Sequence, residues 1–206
     1  MTEPLAVRSA EYYTRKLAEH GATPKGTDWN SLESQELRFR QLLRVSEGEP
    51  ALDVNDYGCG YGALADYLER DGRPFNYGGY DAAPAMVAAA RARFAGRPAY
   101  QFTAVRSELP PRDVTVASGI FNVRETTGDE AWWAYVTRTL ADIASVSKKG
   151  FSSNFLTSYS DADRKRPDLF YPDPSDVLRY CLATFSGRAV ILHDYPLYEF
   201  TVLVRL

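Results

Sequence analysis

Residues 53–62 read DVNDYGCGYG and combine acidic side chains with three alternating glycines. Glycine lets the backbone turn sharply and lets a ligand approach main-chain N–H groups closely. Asp56, beside this turn, would repel a diphosphate but would suit a ligand that carries an ammonium group. Asp81 follows 19 residues after Gly62, a spacing typical of a carboxylate that accepts hydrogen bonds from both hydroxyls of a ribose. Together these residues predict a site for an adenosine-like ribose with a cationic tail.

The glycine cluster is also compatible with two alternative roles. The cluster could be a tight strand-to-helix turn that binds no ligand, because short glycine motifs also occur by chance. It could also belong to a dinucleotide site, although such sites use G-x-G-x-x-G and this chain has G-x-G-x-G. In a dinucleotide site the pyrophosphate lies on a helix N-terminus, where the charge of Asp56 would be unfavourable. Spacing and charge therefore favour a ligand without a diphosphate.

Alternating strands and helices must hold these residues in place. Short apolar, β-branched or aromatic runs predict strands at 51–57, 75–81, 99–104, 113–123, 150–158, 188–195 and 198–206. Apolar periodicity and Gly or Pro boundaries predict helices at 8–20, 31–45, 63–72, 84–96, 129–147 and 174–185. This alternation indicates right-handed crossovers and a mostly parallel sheet.

The last two predicted strands are joined by a short link at Pro196 and Leu197. Strands with so short a link cannot be parallel, so they must form an antiparallel hairpin. We therefore predict an α/β fold, with a Rossmann-like, open, mostly parallel seven-stranded sheet that ends in an antiparallel hairpin.

The composition is that of an ordinary soluble globular protein, with 45% hydrophobic and 25% charged residues among 206. The net charge of −3 provides no global basic field for a polyanion, so a nucleic-acid partner is not expected. Two distant cysteines, Cys59 and Cys181, do not make a disulfide framework, and a cytoplasmic setting is expected. Membrane association and a metal site are not expected, because the chain has neither a long apolar run nor metal-ligand spacing.

The segments DYGCGYG, YDAAPAM and LPPRDVTVASGIF occur in this order and precede the terminal hairpin. This combination resembles the class I S-adenosylmethionine-dependent methyltransferases over roughly residues 50–206. The resemblance implies S-adenosylmethionine as the cofactor and a methyltransferase domain at 50–206. It also implies that residues 1–49 form a helical extension that could act as a lid.

The resemblance assigns cofactor contacts position by position. The first motif would lie beneath the methionine part, Asp81 would bind the ribose, and residues after the second and third strands would flank the adenine. The contacts implied in this way are Asp56, Gly58, Cys59, Gly60, Gly62, Asp81, Ala82, Met86, Val105, Arg106, Ser118 and Gly119. The stretch AVRSELP lacks the acid that family members often carry there, which leaves the contact to the adenine amino group open.

Three residues of the expected lid could also reach the site. Tyr13 and Trp29 could cover the cofactor or the substrate, or they could be hydrophobic plugs between helices. Arg38 could bind the cofactor carboxylate, although a solvated helix face is the more common place for such a residue.

The sequence contains no obvious catalytic dyad, and methyl transfer needs a base only when the acceptor is a hydroxyl or a protonated amine. His193, at the predicted end of the sixth strand, is a weak candidate base, and a structural hydrogen bond is the commoner role of such a histidine. Asn122 and Arg124 follow the fourth strand, where they could contact the acceptor or face solvent.

The loop 158–174 is long for a strand-to-helix connection and lies on the rim where the resemblance places the acceptor. Tyr159 and Tyr171 could form walls of an acceptor site, and the run DRKR could recognise an anionic molecule. A solvated loop is the slightly favoured alternative for these charges, because charge runs usually face water.

We therefore predict a methyltransferase that uses S-adenosylmethionine and acts on a small-molecule acceptor, which could be anionic. An NAD(P)-dependent oxidoreductase and a non-catalytic module that binds S-adenosylmethionine are the alternatives. A protein acceptor stays open, as does the choice between a monomer and a homodimer.

Overall fold

The computed structural model describes residues 3–27, 29 and 31–206. The helices in this part of the chain are α1 (Glu3–His20), α2 (Leu32–Leu43), α3 (Ala63–Asp71), α4 (Pro84–Arg93), α5 (Asp129–Ser145) and α6 (Pro174–Thr184). The strands are β1 (Leu52–Tyr57), β2 (Phe75–Tyr80), β3 (Tyr100–Thr103), β4 (Arg112–Ala117), β5 (Ser147–Leu156), β6 (Ala189–Leu192) and β7 (Glu199–Arg205). Residues 1, 2, 28 and 30 of the expected lid lie outside the described residues.

The seven strands form one sheet in the order β3-β2-β1-β4-β5-β7-β6. Strands β1 to β5 pair parallel, and β7 pairs antiparallel with both β5 and β6. The predicted fold class is confirmed. The strand order reverses between β1 and β4, and ligands of open α/β sheets bind at such a point, beyond the carboxyl ends of the strands.

Local signals set the helix boundaries near the site. Ser31 caps α2 by accepting a hydrogen bond from the Ser34 N–H. Gly62 and Gly72 flank α3, and both adopt the left-handed conformation. Asp173 caps α6, which has a proline in its first turn.

Helices cover both faces of the sheet and create two apolar cores. Residues of α2, α3 and α4 pack on one face, where Leu42, Leu64 and Val54 are buried in the same core. Residues of α5 and α6 pack on the other face, where Leu140 is buried near Phe155. None of the described helices is both long enough and apolar enough to cross a membrane.

Several predicted boundaries are wrong: β5 begins at Ser147 and not at residue 150, and α1 begins at Glu3 and not at residue 8. The predicted strand 113–123 ends at Ala117, because the backbone turns at Gly119, where φ is +72°. The link in the terminal hairpin spans residues 193–198 instead of two residues, because β6 already ends at Leu192. His193 therefore lies in the link and not in the sixth strand.

Candidate functional site

A cavity of about 610 Å³ lies at the carboxyl ends of β1, β2 and β4. Its walls come from the glycine turn after β1, from the ends of β2 and β4, from α5, and from the N-terminal segment, which we define as residues 3–43. The predicted site residues that line it are Tyr13, Trp29, Asp56, Gly58, Cys59, Gly60, Asp81, Ala82, Met86, Arg106, Ser118 and Gly119. The fold thus brings residues from eight separate elements and loops to one space.

Gly58 and Gly60 are required by both conformation and space. Their φ angles are +86° and +53°, a region that other residues rarely adopt. A Cβ at Gly58 would lie 2.3 Å from Cγ2 of Ile120, and a Cβ at Gly60 would lie 3.1 Å from Cγ2 of Thr27. The turn therefore packs closely between the loop after β4 and the N-terminal segment, with its backbone next to the cavity.

Asp81 fastens the glycine turn to the end of β2. Its Oδ2 accepts a hydrogen bond from the Gly60 N–H at 2.8 Å, and its Oδ1 accepts one from the Ala83 N–H at 2.8 Å. Burial raises the pKa of this carboxyl, and the two backbone hydrogen bonds oppose the rise. A carboxylate has about four lone-pair sites, so both oxygens can accept a further hydrogen bond from a ligand.

Asp56 is 3% exposed at the end of β1. Burial raises the pKa of its carboxyl to about 7. A hydrogen bond of 2.7 Å from the Tyr77 hydroxyl lowers the pKa, and the charge of Asp81 raises it. A cation beside such a carboxyl favours its charged form, so this part of the cavity favours a positively charged ligand group.

Trp29 closes the cavity at the end of β4. A Cβ at Gly119 would lie 2.4 Å from Cη2 of Trp29, so the indole rests directly on the backbone there. The N–H of Gly119 donates to Oδ1 of Asn154 at 2.8 Å, which holds this turn on β5. The position after β4 therefore requires a residue without a side chain.

Arg38 of α2 is buried and outside the cavity lining. Its Nε donates to both carboxylate oxygens of Glu199, at 3.0 and 2.9 Å, and its Nη1 donates to the carbonyl of Ser34. Its guanidinium lies 4.1 Å from the ring centre of Trp29. Arg38 thus does not lie on a solvated helix face. Its guanidinium, which was expected to reach a cofactor carboxylate, is paired with Glu199 instead.

Besides Arg38, seven predicted residues do not line the cavity. They are Gly62, Val105, Asn122, Arg124, Tyr159, Tyr171 and His193. Gly62 lies below the turn, where a Cβ would be 2.7 Å from the Phe94 ring. Val105 is 49% exposed. The rings of His193 and Tyr159 lie 6.0 Å apart near the hairpin link, on the surface.

The acceptor candidates after β4 have different surroundings. Arg124 donates to the carbonyl of Leu169 and pairs with Asp129 at 2.7 Å. Asn122 is 8% exposed and lies beside Gly119, and its Oδ1 accepts no hydrogen bond from a described residue. Of the two, Asn122 retains an atom that a ligand could engage.

Sequence reasoning missed many residues that line the cavity. These are Ala6, Ser9, Ala10, Thr27, Gln35, Phe39, Tyr57, Ala63, Leu64, Tyr80, Tyr135, Arg138, Thr139 and Asp142. One signal was available, because the α5 residues 135, 138, 139 and 142 repeat at the spacing of one helix face. Asp142 accepts hydrogen bonds from the Tyr57 hydroxyl and from Nε of Arg106, each at 3.1 Å.

Sequence comparison relates the chain to methyltransferases. A family model described as a methyltransferase domain matches residues 55–150. The protein named "Putative methyltransferase Rv1506c" from Mycobacterium tuberculosis is 45% identical over 163 residues, which cover 79% of this chain and 98% of that protein.

Solved structures resemble the chain over nearly its whole length. The DhpI-SAM-HEP complex has a TM-score of 0.63 at 15% identity and covers 97% of this chain and 98% of its own. The N-methyltransferase NodS from Bradyrhizobium japonicum WM9, in complex with S-adenosyl-L-homocysteine, has a TM-score of 0.64 at 16% identity, with coverages of 96% and 97%. At these identities the likeness establishes a shared fold that includes the N-terminal segment.

Proposed function

Because the chain belongs to the family of S-adenosylmethionine-dependent methyltransferases, we propose that it transfers the methyl group of that cofactor to a small molecule. Membership of this family sets aside the oxidoreductase and the non-catalytic binding module.

The observation that carries this proposal is the cover that the N-terminal segment forms over the cavity. Four α1 residues, including Tyr13, line it, and Trp29 closes its end at β4. Arg8 of α1 pairs with Glu125 at 2.9 Å, so α1 reaches the loop on the far side. A volume of about 610 Å³ lies in the range of small-molecule pockets. A covered cavity of this size suits a cofactor with a small acceptor, whereas a macromolecular acceptor needs an open face.

The cofactor fits the residues that line the cavity. In our proposal Asp81 accepts hydrogen bonds from the ribose hydroxyls, and Asp56 lies on the side of the ammonium group. The lone pairs of Asp81 and the raised pKa of Asp56 support these roles. Further proposed contacts are Tyr13, Gly58, Cys59, Gly60, Ala82, Met86, Arg106, Ser118 and Gly119, which share the cavity. Gly62 and Val105 do not line the cavity and would affect cofactor binding only indirectly, by shaping the turns to which they belong.

Bound S-adenosylmethionine supplies a methyl group that is already electrophilic, so alignment and exclusion of water can provide much of the catalysis. Trp29 and α1 would exclude water from the cavity that they cover. Ser118 and Gly119, at the end of β4, would contact the acceptor on the floor of the site. Asn122 does not line the cavity, so it would influence the acceptor only through Gly119, which it adjoins.

We do not extend the proposal to an anionic acceptor. In the run DRKR, Lys165 donates to the carbonyl of Ser158, and Arg166 pairs with Asp168. These charges therefore have partners within their own loop, and Tyr159 and Tyr171 of the same loop do not line the cavity.

Formation of S-adenosylhomocysteine in the presence of candidate acceptors tests the proposal. The panel should contain small hydroxyl, amine and carboxylate compounds, with RNA and unfolded protein as macromolecular acceptors. We expect turnover with at least one small-molecule class and none with the macromolecules. Turnover on RNA or protein alone would contradict the proposal.

A further inference from the structure

Gln35 of α2 lines the part of the cavity next to the N-terminal segment. The residue is 2% exposed, so its amide is almost fully buried. Its Nε2 lies 3.5 Å from Oγ1 of Thr27, which lines the same space. Its Oε1 is buried and accepts no hydrogen bond from a described residue. Buried amide oxygens normally have a donor, so this atom lacks the partner that its position requires.

The first turn of α3 borders the same cavity through Ala63 and Leu64. Gly62 precedes this nine-residue helix, and no side chain caps it. The first N–H groups of a helix have no acceptor within the helix, and they favour a negatively charged group. The cavity therefore offers both an unpaired acceptor, on Gln35, and uncapped donors, at the start of α3.

The unpaired acceptor and the uncapped donors are suited to the ammonium group and the carboxylate of an amino acid. An ammonium group donates hydrogen bonds, as Oε1 of Gln35 requires, and Asp56 adds negative charge to the same cavity. A carboxylate accepts hydrogen bonds, as the uncapped N–H groups at the start of α3 require. Arg38 would be an obvious partner for a carboxylate, but its guanidinium is bound to Glu199. The free N–H groups at the start of α3 would therefore bind the carboxylate instead of Arg38.

We propose that Gln35 binds the amino-acid end of S-adenosylmethionine: its Oε1 accepts a hydrogen bond from the ammonium group, and the start of α3 faces the carboxylate. The inference rests on the proposed position of the cofactor along the glycine turn. It makes α2 part of the cofactor site, although α2 lies outside the residues 55–150 that match the family model. The N-terminal segment would thus recognise the donor directly, in addition to covering it.

Titration calorimetry with S-adenosylhomocysteine and with 5′-methylthioadenosine tests this contact, because the second compound lacks the amino-acid end. Gln35→Met removes the amide but keeps a side chain of similar length. We expect the variant to weaken binding of S-adenosylhomocysteine at least ~tenfold and to change binding of 5′-methylthioadenosine less than ~twofold. Equal weakening of both compounds, or of neither, would overturn the inference.

Two further variants sharpen the test. Gln41→Met, on the same helix but outside the cavity lining, should bind both compounds as the wild type does. Gln35→Glu keeps an acceptor oxygen and should bind S-adenosylhomocysteine within ~threefold of the wild type, since a second carboxylate also suits an ammonium group. A loss as large as that of Gln35→Met would overturn the role of Oε1.

Asp81→Asn separates this inference from the proposals on which it depends. Both compounds carry the ribose, so this variant should weaken the binding of both. Unchanged binding of both would overturn the proposed cofactor position and this inference with it. A macromolecular acceptor, by contrast, would contradict the proposed function while leaving all of these binding results unchanged.

Discussion

Asp56 lies buried at the end of β1, and its carboxyl should affect stability in addition to its proposed role in binding. Its pKa rises from an ordinary value of 3.8 to about 7 in the folded chain. Between these values the folded state holds a proton that the unfolded chain has released, so rising pH favours unfolding. Three pKa units correspond to as much as ~4 kcal/mol. This part of the folding free energy is present below about pH 4 and is lost as pH rises to about 7.

We predict that Asp56→Asn removes this pH dependence. Asparagine keeps an oxygen for the Tyr77 hydroxyl but has no charge to bury, so the variant should be more stable than the wild type at pH 7.5 by ~1–4 kcal/mol. At pH 4 the two proteins should be nearly equal. Denaturant unfolding of both proteins at each pH measures the difference in their free energies of unfolding. The contributions of the titratable groups that both proteins share cancel in this difference. Parallel pH profiles would show that Asp56 does not carry the effect.

The same substitution should weaken the binding of S-adenosylmethionine, because the proposed partner of the ammonium group loses its charge. We expect the dissociation constant to rise at least ~tenfold at pH 7.5. Calorimetry measures it, and unchanged affinity would count against the proposed role of Asp56.

Asp81 holds the glycine turn and is also the proposed partner of the ribose, and different substitutions can separate these two roles. Asp81→Ala leaves the N–H groups of Gly60 and Ala83 without their acceptor and should destabilise the fold by ~1–3 kcal/mol as well as abolish binding. Asp81→Asn keeps part of this acceptor capacity and should retain more stability, while binding of S-adenosylmethionine still falls at least ~tenfold. Thermal unfolding and calorimetry together measure both effects, with NAD as the ligand that should not bind. Full affinity in Asp81→Asn would contradict the proposed ribose contact.

At the scale of elements, a buried polar chain ties α2 to the sheet. Arg38 of α2 pairs with Glu199 of β7, and Asn154 of β5 donates to Glu199 at 2.5 Å while it accepts the N–H of Gly119. The side chains of Arg38 and Glu199 are only 8% and 3% exposed. Removing one charge of such a pair leaves the other buried without compensation.

We predict that Arg38→Met destabilises the protein by ~3–5 kcal/mol, whereas Arg38→Met combined with Glu199→Gln recovers most of this loss. Denaturant unfolding of the single and double variants completes the cycle that isolates the coupling. Arg40→Met, on the exposed side of the same helix, is the matched control and should change stability by less than ~0.5 kcal/mol. Additive losses in the double variant would show that the pair is not coupled.

The elements show which features could be predicted from the sequence. Strands and helices alternate in local patterns of composition, and Gly72 and Pro174 mark boundaries through their own conformations, so those elements were predictable. Arg38 and Glu199 lie 161 residues apart, and no periodicity connects them. The end of β4 was misplaced for a similar reason, because Gly119 turns under Trp29, a contact that only the folded chain contains.

In the site, too, residues in local patterns were predictable and contacts between distant segments were not. Asp56 and Asp81 flank turns that local spacing reveals, and both line the cavity. Gln35 lies in an ordinary amphipathic helix, and its proposed role follows only from the folded structure, where its amide oxygen is buried without a donor among the described residues. Contacts between distant segments thus account for what the sequence could not show.

At the scale of the whole molecule, the N-terminal segment has two parts with different relations to the core. Leu42 and Phe39 of α2 are buried in the core that α3 and α4 share, and the Ser152 hydroxyl donates to the carbonyl of Leu42 at 2.8 Å. In α1, none of the residues 5–20 is buried to this extent. The division at residue 50 stays a prediction, but α2 is bound to the main body in a way that α1 is not.

We therefore predict that truncation before and after α2 has opposite outcomes. A chain that begins at residue 21 should fold, with Tm within about 4 °C of the full chain, because none of the residues 5–20 is a fully buried core residue. Its affinity for S-adenosylmethionine should fall, because Tyr13 and the rest of the α1 wall are gone. A chain that begins at residue 50 loses Phe39, Leu42, Leu43 and Val45 from the core. At ~1.5–3 kcal/mol for each side chain this approaches the whole stability of a typical domain, so that chain should not fold. Circular dichroism and thermal unfolding decide between these outcomes, and a folded chain from residue 50 would establish the main domain as independent of α2.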